Sequence, residues 1–183
     1  MNQTIRDAYI SVEISDGGLE SLREGLRALF EDCDVDCEIA SSAAHVSIAY
    51  GEGEVEMDAL ERVASEIAAL PFSAHVVGFD ILEGQSTPFD YLVVSLEGSS
   101  FEQAQSVASG CMKTREFNGG FHSHVSLLKF PRGSVSKAHR ILAEMNETQA
   151  VARAFKRRSL TGSKVGIFAS DRRCCVTKEF IAA

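Results

Sequence analysis

Two triplets of the same composition, His45-Val46-Ser47 and His124-Val125-Ser126, stand 79 residues apart, each followed by a branched apolar residue, Ile48 and Leu127. In an extended strand residues i and i+2 share a face, so each imidazole projects beside its own serine hydroxyl while the valine between them turns the other way. Two imidazoles brought into one cleft can divide acid and base work near neutral pH, one taking a proton from an attacking hydroxyl or water and the other giving one to a departing oxygen. A hydroxyl beside each can donate to a non-bridging phosphate oxygen as charge builds there. These residue types in this pattern suit the cleavage of a phosphodiester, and the chemistry calls for no metal ion.

The surrounding sequence must supply strands to carry the triplets and helices to back them. Residues 8–14 alternate as a strand, and 18–31 place Leu19, Leu22, Leu26 and Leu29 at helical spacing. Residues 45–50 read as a strand and 57–70 as an amphipathic helix, followed by strands over 72–82 and 91–96 around the turn-forming GQSTPFD. A helix over 100–116, a strand over 122–130 and a helix over 135–145 come next. Strands over 164–169 and 174–181 close the chain around Ser170-Asp171-Arg172-Arg173. The order strand, helix, HVS strand, helix, strand pair occurs twice, with AYISVEI and YLVVSLE 83 apart and VVGFD and KVGIF 88 apart. A duplicated unit is the expectation: one bilobal domain over 1–183, with repeat units of about 1–90 and 91–183.

Two such tetrapeptides, one per repeat of an α/β chain of this length, resemble the two-histidine (2H) phosphoesterase superfamily, whose motif is HxSx or, more often, HxTx. A single HxS arises often by chance, whereas two with matching flanks in matching positions are specific. The resemblance spans nearly the whole chain in element order. It implies an α/β (α+β) fold of two lobes, with antiparallel sheets forming a central cleft and helices outside. The superfamily includes RNA 2',3'-cyclic phosphodiesterases and 2'-5' RNA ligase-like proteins, plant-type ADP-ribose cyclic phosphodiesterases, nucleases of RNA 3' ends, and viral hydrolases of 2'-5' oligoadenylates or cyclic messengers. It makes His45 and His124 the acid and base, with their order open, and Ser47 and Ser126 the phosphate anchors. Serine at both hydroxyl positions keeps the donor and drops the stiffening methyl of threonine. The family often places a substrate-contacting side chain five residues after each His, here Tyr50 and Lys129; ideal alternation would turn both away, so a bulge or strand end must intervene.

The resulting expectation is a metal-independent phosphodiesterase of a small nucleotide or oligonucleotide, whether a 2',3'-cyclic phosphate, a 2'-5' linkage or a cyclic oligonucleotide. The alternatives are a hydrolase of cyclic oligonucleotide immune messengers, or a module that binds a nucleotide or RNA end without turning it over. Phe121, in the loop Asn118-Gly119-Gly120-Phe121, could stack on a base, and His122 could line the cleft. His122 and His124 form an HxH, but zinc needs further ligands that no nearby motif supplies, and no cofactor is expected. The loop 84–90, with Pro88 and Phe89, is a candidate lid. His75 and His139 lack such company and read as structural.

Composition bounds the remaining possibilities. The chain has 183 residues, 45% hydrophobic and 24% charged, with no uninterrupted apolar run of membrane-spanning length and no secretory leader pattern. Five cysteines, without a CxxC pair, fit a reduced cytoplasmic protein, and Cys174 and Cys175 alternate faces of the last strand. The net charge of -8 argues against a long duplex nucleic acid as partner. Residues 1–110 hold 4 Lys and Arg against 21 Asp and Glu, however, while residues 111–183 hold 14 against 5, so the second half could attract an anion. Arg153, Lys156, Arg157, Arg158 and Lys164 form its densest basic run. A monomer acting on a small substrate is the expected state.

Overall fold

A computed structural model describes residues 3–15, 17–84, 87–115, 120–148, 159–171 and 173–180. The first half runs β1 (Thr4–Arg6), β2 (Tyr9–Ser15), α1 (Gly17–Asp32), β3 (Glu38–Ile39), β4 (His45–Tyr50), β5 (Glu54–Glu56), α2 (Met57–Ala68) and β6 (Ser73–Glu83). The second runs β7 (Phe89–Glu97), α3 (Ser99–Cys111), β8 (His124–Pro131), α4 (Val135–Thr148), β9 (Ser159–Phe168) and β10 (Cys174–Glu179), with a short 3-10 turn over Arg132–Ser134. This is an α+β fold of antiparallel sheet and, among the described residues, four α-helices. Of the sequence candidates, Asn118, Gly119, Arg153, Lys156, Arg157, Arg158 and Arg172 lie outside the described residues.

The main sheet follows the order β10-β9-β2-β4-β8-β7-β6, with β3 on β8 and a further pairing of β6 with β9 that closes the strands into a ring. Strands cross between the halves of the sequence: β6 pairs along its length with β7, and β9 with β2. Closure is made where Ser73, Ala74 and His75 pair with Thr161, Leu160 and Ser159, which is why β9 begins five residues before the expected strand. His75 and His139 are both exposed, on β6 and α4.

Alternation along the strands sends one set of side chains into the core. Val12, Val46, Ile48, Val125, Leu127 and Val165 are completely buried. Helices cover that face, α2 and α3 packing over β9, β10 and β4, and α1 over β3 and β8. On α2 the buried residues Leu60, Val63, Ala64 and Ile67 follow the helical period, the arrangement that lets one stripe seal against a sheet. The helix expected over 100–116 ends at Cys111, because the chain then leaves to extend the sheet. Met112 is extended, Gly51 bridges Thr114, and the Arg115 amide donates to the Tyr50 carbonyl (2.8 Å). Gly51 admits this crossing, since a Cβ there would lie 2.9 Å from the Met112 sulfur and 3.1 Å from the Ala8 carbonyl oxygen.

Candidate active site

The two HVS strands are neighbours, pairing antiparallel at Val46 and Val125. On either side of that contact lie His45 and Ser47 of one strand and His124 and Ser126 of the other, on the face opposite the buried valines. Each imidazole therefore has a hydroxyl two residues along its own strand and another on the neighbouring strand.

Both rings are held the same way. His45 Nδ1–H donates to the Ala43 carbonyl (3.1 Å) and His124 Nδ1–H to the His122 carbonyl (2.8 Å), in each case two residues back. A carbonyl only accepts, so the neutral ring carries its proton on Nδ1 and leaves Nε2 for a substrate. The segment before β8 is tied to β7, with the Ser123 hydroxyl donating to the Leu96 carbonyl (2.7 Å) and the Leu96 amide to the Ser123 carbonyl (2.9 Å). The strand β8 starts at His124, two residues after the expected start at 122. Burial, joined by the charges of His45 and His122, holds His124 below the ordinary histidine value, although the His122 carbonyl pulls in the opposite direction.

The position of Tyr50 and Lys129 follows from two bulges. Between β2 and β4 the register slips between Ile10 and Ser11, so that Ile48 and Ala49 are both buried in succession. Between β7 and β8 it slips between Leu92 and Val93, so that Leu127 and Leu128 are likewise both buried. One extra residue reverses the parity of all that follow. Tyr50 thus shares a face with His45 and Ser47, and Lys129 with His124 and Ser126. Tyr50 is 39% exposed and stacks on Tyr9 (centroids 4.8 Å apart, 21° between planes). Lys129 is half-buried, with Nζ 2.8 Å from Glu38 Oε2 and 5.2 Å from the centre of the Phe89 ring.

The other candidates lie around this face. His122 is exposed and contributes its carbonyl to His124, while Phe121 is half-buried against the core. Gly120 adopts φ +90°, a conformation natural to glycine. In the loop 84–90, the Gly84 amide donates to the buried Asp90 carboxylate (3.1 Å). Lys164 is engaged with Glu13 (2.9 Å), and Cys175 packs half-buried at the core edge. Among the described residues no three His, Cys, Asp or Glu side chains form a metal-binding group.

Two residues of the site neighbourhood escaped the motif-based reading. Tyr9 on β2 lies opposite Tyr50, with its hydroxyl 3.0 Å from Ser47 Oγ and its ring edge-on to His45 at 6.2 Å. Its signal was the polar alternation Tyr9, Ser11, Glu13, which the register places opposite Tyr50, Ser47 and His45. Arg23 on α1 is completely buried and donates to the Ser126 carbonyl (3.3 Å).

The fold is that of the 2H phosphoesterases, the class the paired motifs resemble. Its structural neighbours include Kluyveromyces marxianus Usb1 with uridine monophosphate, at TM-score 0.65 and 12% identity, covering 96% of this chain and 98% of that one. A second structure of the same Usb1 aligns at TM-score 0.63 and 14% identity over the same shares. E. coli LigT complexed with 3'-AMP aligns at TM-score 0.52 and 14% identity, covering 98% of this chain and 100% of that one. No protein-family model matches the chain, and no curated protein matches it by sequence. Among the described residues no helix is long and apolar enough to cross a membrane.

Proposed function

We propose that the chain is a phosphodiesterase that cleaves a small nucleotide or oligonucleotide phosphodiester by paired-histidine catalysis, His45 and His124 doing the proton work and Ser47 and Ser126 anchoring the phosphate. The observation that carries this reading is the meeting of the two HVS strands at Val46 and Val125, which brings His45, Ser47, His124 and Ser126 to one face, with both Nδ1 atoms pinned to backbone carbonyls. Both Nε2 atoms are left for substrate. An environment that favours neutral His124 suits it to be the general base, taking a proton from water or a sugar hydroxyl as that oxygen attacks phosphorus. His45 then gives the proton that the departing oxygen needs. The serine hydroxyls donate to the non-bridging oxygens and stabilise the negative charge they carry in the transition state.

Fold neighbours with bound uridine monophosphate and 3'-AMP support a nucleotide phosphate as the ligand. The Tyr50 ring offers a face for a base, and Lys129 a cation for a second phosphate or sugar edge. The common offset of 79 residues between His45 and His124, the buried pairs Ile48-Ala49 and Leu127-Leu128, and Tyr50 and Lys129 supports an internal duplication within one bilobal domain.

The test is product analysis, in EDTA, with 2',3'-cyclic mononucleotides, ADP-ribose 1'',2''-cyclic phosphate, 2'-5' oligoadenylate, short RNA and cyclic di- and trinucleotides. One class is expected to be cleaved. His45→Ala and His124→Ala should each lower kcat by about a thousandfold or more while binding stays within about tenfold, because proton transfer is required only in the transition state. Variants with near wild-type rates would overturn the assignment. Binding without cleavage of any substrate would make the protein a module that holds a nucleotide end.

A further inference from the structure

Ser47 Oγ lies within hydrogen-bond distance of two phenols. The Tyr50 hydroxyl donates to it (3.3 Å), and the Tyr9 hydroxyl sits 3.0 Å away. We propose that Tyr9 is a positioning residue that, together with the hydroxyl of Tyr50, fixes Ser47 as a hydrogen-bond donor aimed at the phosphate. This rests on the reading of Ser47 as a phosphate anchor. A serine hydroxyl has one proton to donate and two lone pairs to accept with. Either oxygen of the Tyr9–Ser47 contact could donate; we assign the proton to Tyr9, because a phenol is a stronger acid than an alkanol and hence the better donor of the two. With both lone pairs of Ser47 engaged, its single proton must point elsewhere, and accepting two bonds polarises the O–H for donation.

The surroundings hold Tyr9 in that role. Its ring is stacked on Tyr50, edge-on to His45, and tilted against Phe168 (5.8 Å). Phe168 lies back along its own strand over Gly166, where a Cβ would come within 2.6 Å of the ring, so the missing side chain of Gly166 makes room for the aromatic that backs Tyr9. Burial, the main cause, pushes the Tyr9 phenol up and keeps it protonated, able to donate throughout the working range of the histidines. The other strand is not built this way. Tyr91, which the register places opposite Lys129 as Tyr9 lies opposite Tyr50, has its hydroxyl 3.4 Å from Thr87 Oγ1. The donor is therefore preset on the Ser47 side of the cleft.

Inorganic phosphate, titrated against the ring C–H resonances of His45 and His124, provides the test in the full-length wild type, Tyr9→Phe, Ser47→Ala and the double variant. Tyr9→Phe keeps the ring and its packing while removing only the hydroxyl. It should weaken phosphate binding about fivefold, the usual worth of one hydrogen bond, and the double variant should bind no more weakly than Ser47→Ala alone. Wild-type affinity in Tyr9→Phe, or losses that add in the double variant, would overturn the proposal while leaving the anchor reading intact. Absence of any phosphate-induced shift in the wild type would overturn the anchor reading and this assignment together.

Discussion

His124 sits in an environment that favours its neutral form, first because it is buried and then because His45 and His122 carry like charge nearby. In the proposed role of general base it must be neutral, so the rate should rise as pH climbs through its pKa. A lowered pKa moves that acid limb of kcat/KM below about pH 6.5, the ordinary histidine value, although the apparent constant belongs to the coupled pair. Replacing His122 by Asn keeps the backbone carbonyl that holds the ring and removes one of the two like charges. The acid limb should then shift upward. A pH–rate profile of wild type and His122→Asn under chemistry-limited conditions checks both statements; an acid limb above pH 7 in the wild type would assign the base elsewhere. The types and spacing of these residues were plain in the sequence because a two-residue period forces His and Ser together. The carbonyls that fix the tautomer were not, since they depend on how the chain enters each strand.

At the scale of elements, the central pair of strands touches narrowly. β4 meets β8 at Val46 and Val125, and β3 takes over at Leu128 and Lys129. Arg23 reaches into the gap between, donating to the Ser41 carbonyl (3.2 Å), the Ser41 hydroxyl (3.4 Å), the Ser126 carbonyl (3.3 Å) and the Glu20 carboxylate (3.1 Å). Its guanidinium does what missing strand pairing would otherwise do. Arg23→Ala should cost about 3 kcal/mol in urea-induced unfolding, because it removes the donor that the Ser41 and Ser126 carbonyls share and opens a void where a completely buried side chain stood. Arg23→Lys should recover only part, as a single ammonium cannot span the same acceptors. This role was hidden in the sequence, where an arginine beside Leu19, Leu22 and Leu26 reads as solvated and its partners lie 18 and 103 residues away. The bulges left a legible trace by contrast. Ile48-Ala49 and Leu127-Leu128 are adjacent apolar pairs that break strict alternation, and each break turns Tyr50 or Lys129 onto the histidine face.

At the scale of the whole molecule, the exchange of strands between halves makes each half incomplete. Without the second half, β2 loses β9 and β6 loses β7, which together contribute most of the sheet contacts made by those strands. Residues 1–84 alone would expose Ile10, Val12, Val76 and Ile81 along unpaired edges, a state that aggregates before it folds. The site is divided in the same way, because one histidine–serine pair comes from each half. Separately produced fragments 1–84 and 87–183 should therefore show no cooperative unfolding by circular dichroism. Refolded together, they should recover a cooperative transition and, with it, the phosphate-induced shifts of both His45 and His124. The cut removes only residues 85 and 86, between the ends of β6 and β7, where the Gly84 amide and Asp90 carboxylate already bridge the turn. A cooperative transition in either fragment alone would mean that the halves are self-sufficient lobes, and that the strand exchange adds to their stability without creating it.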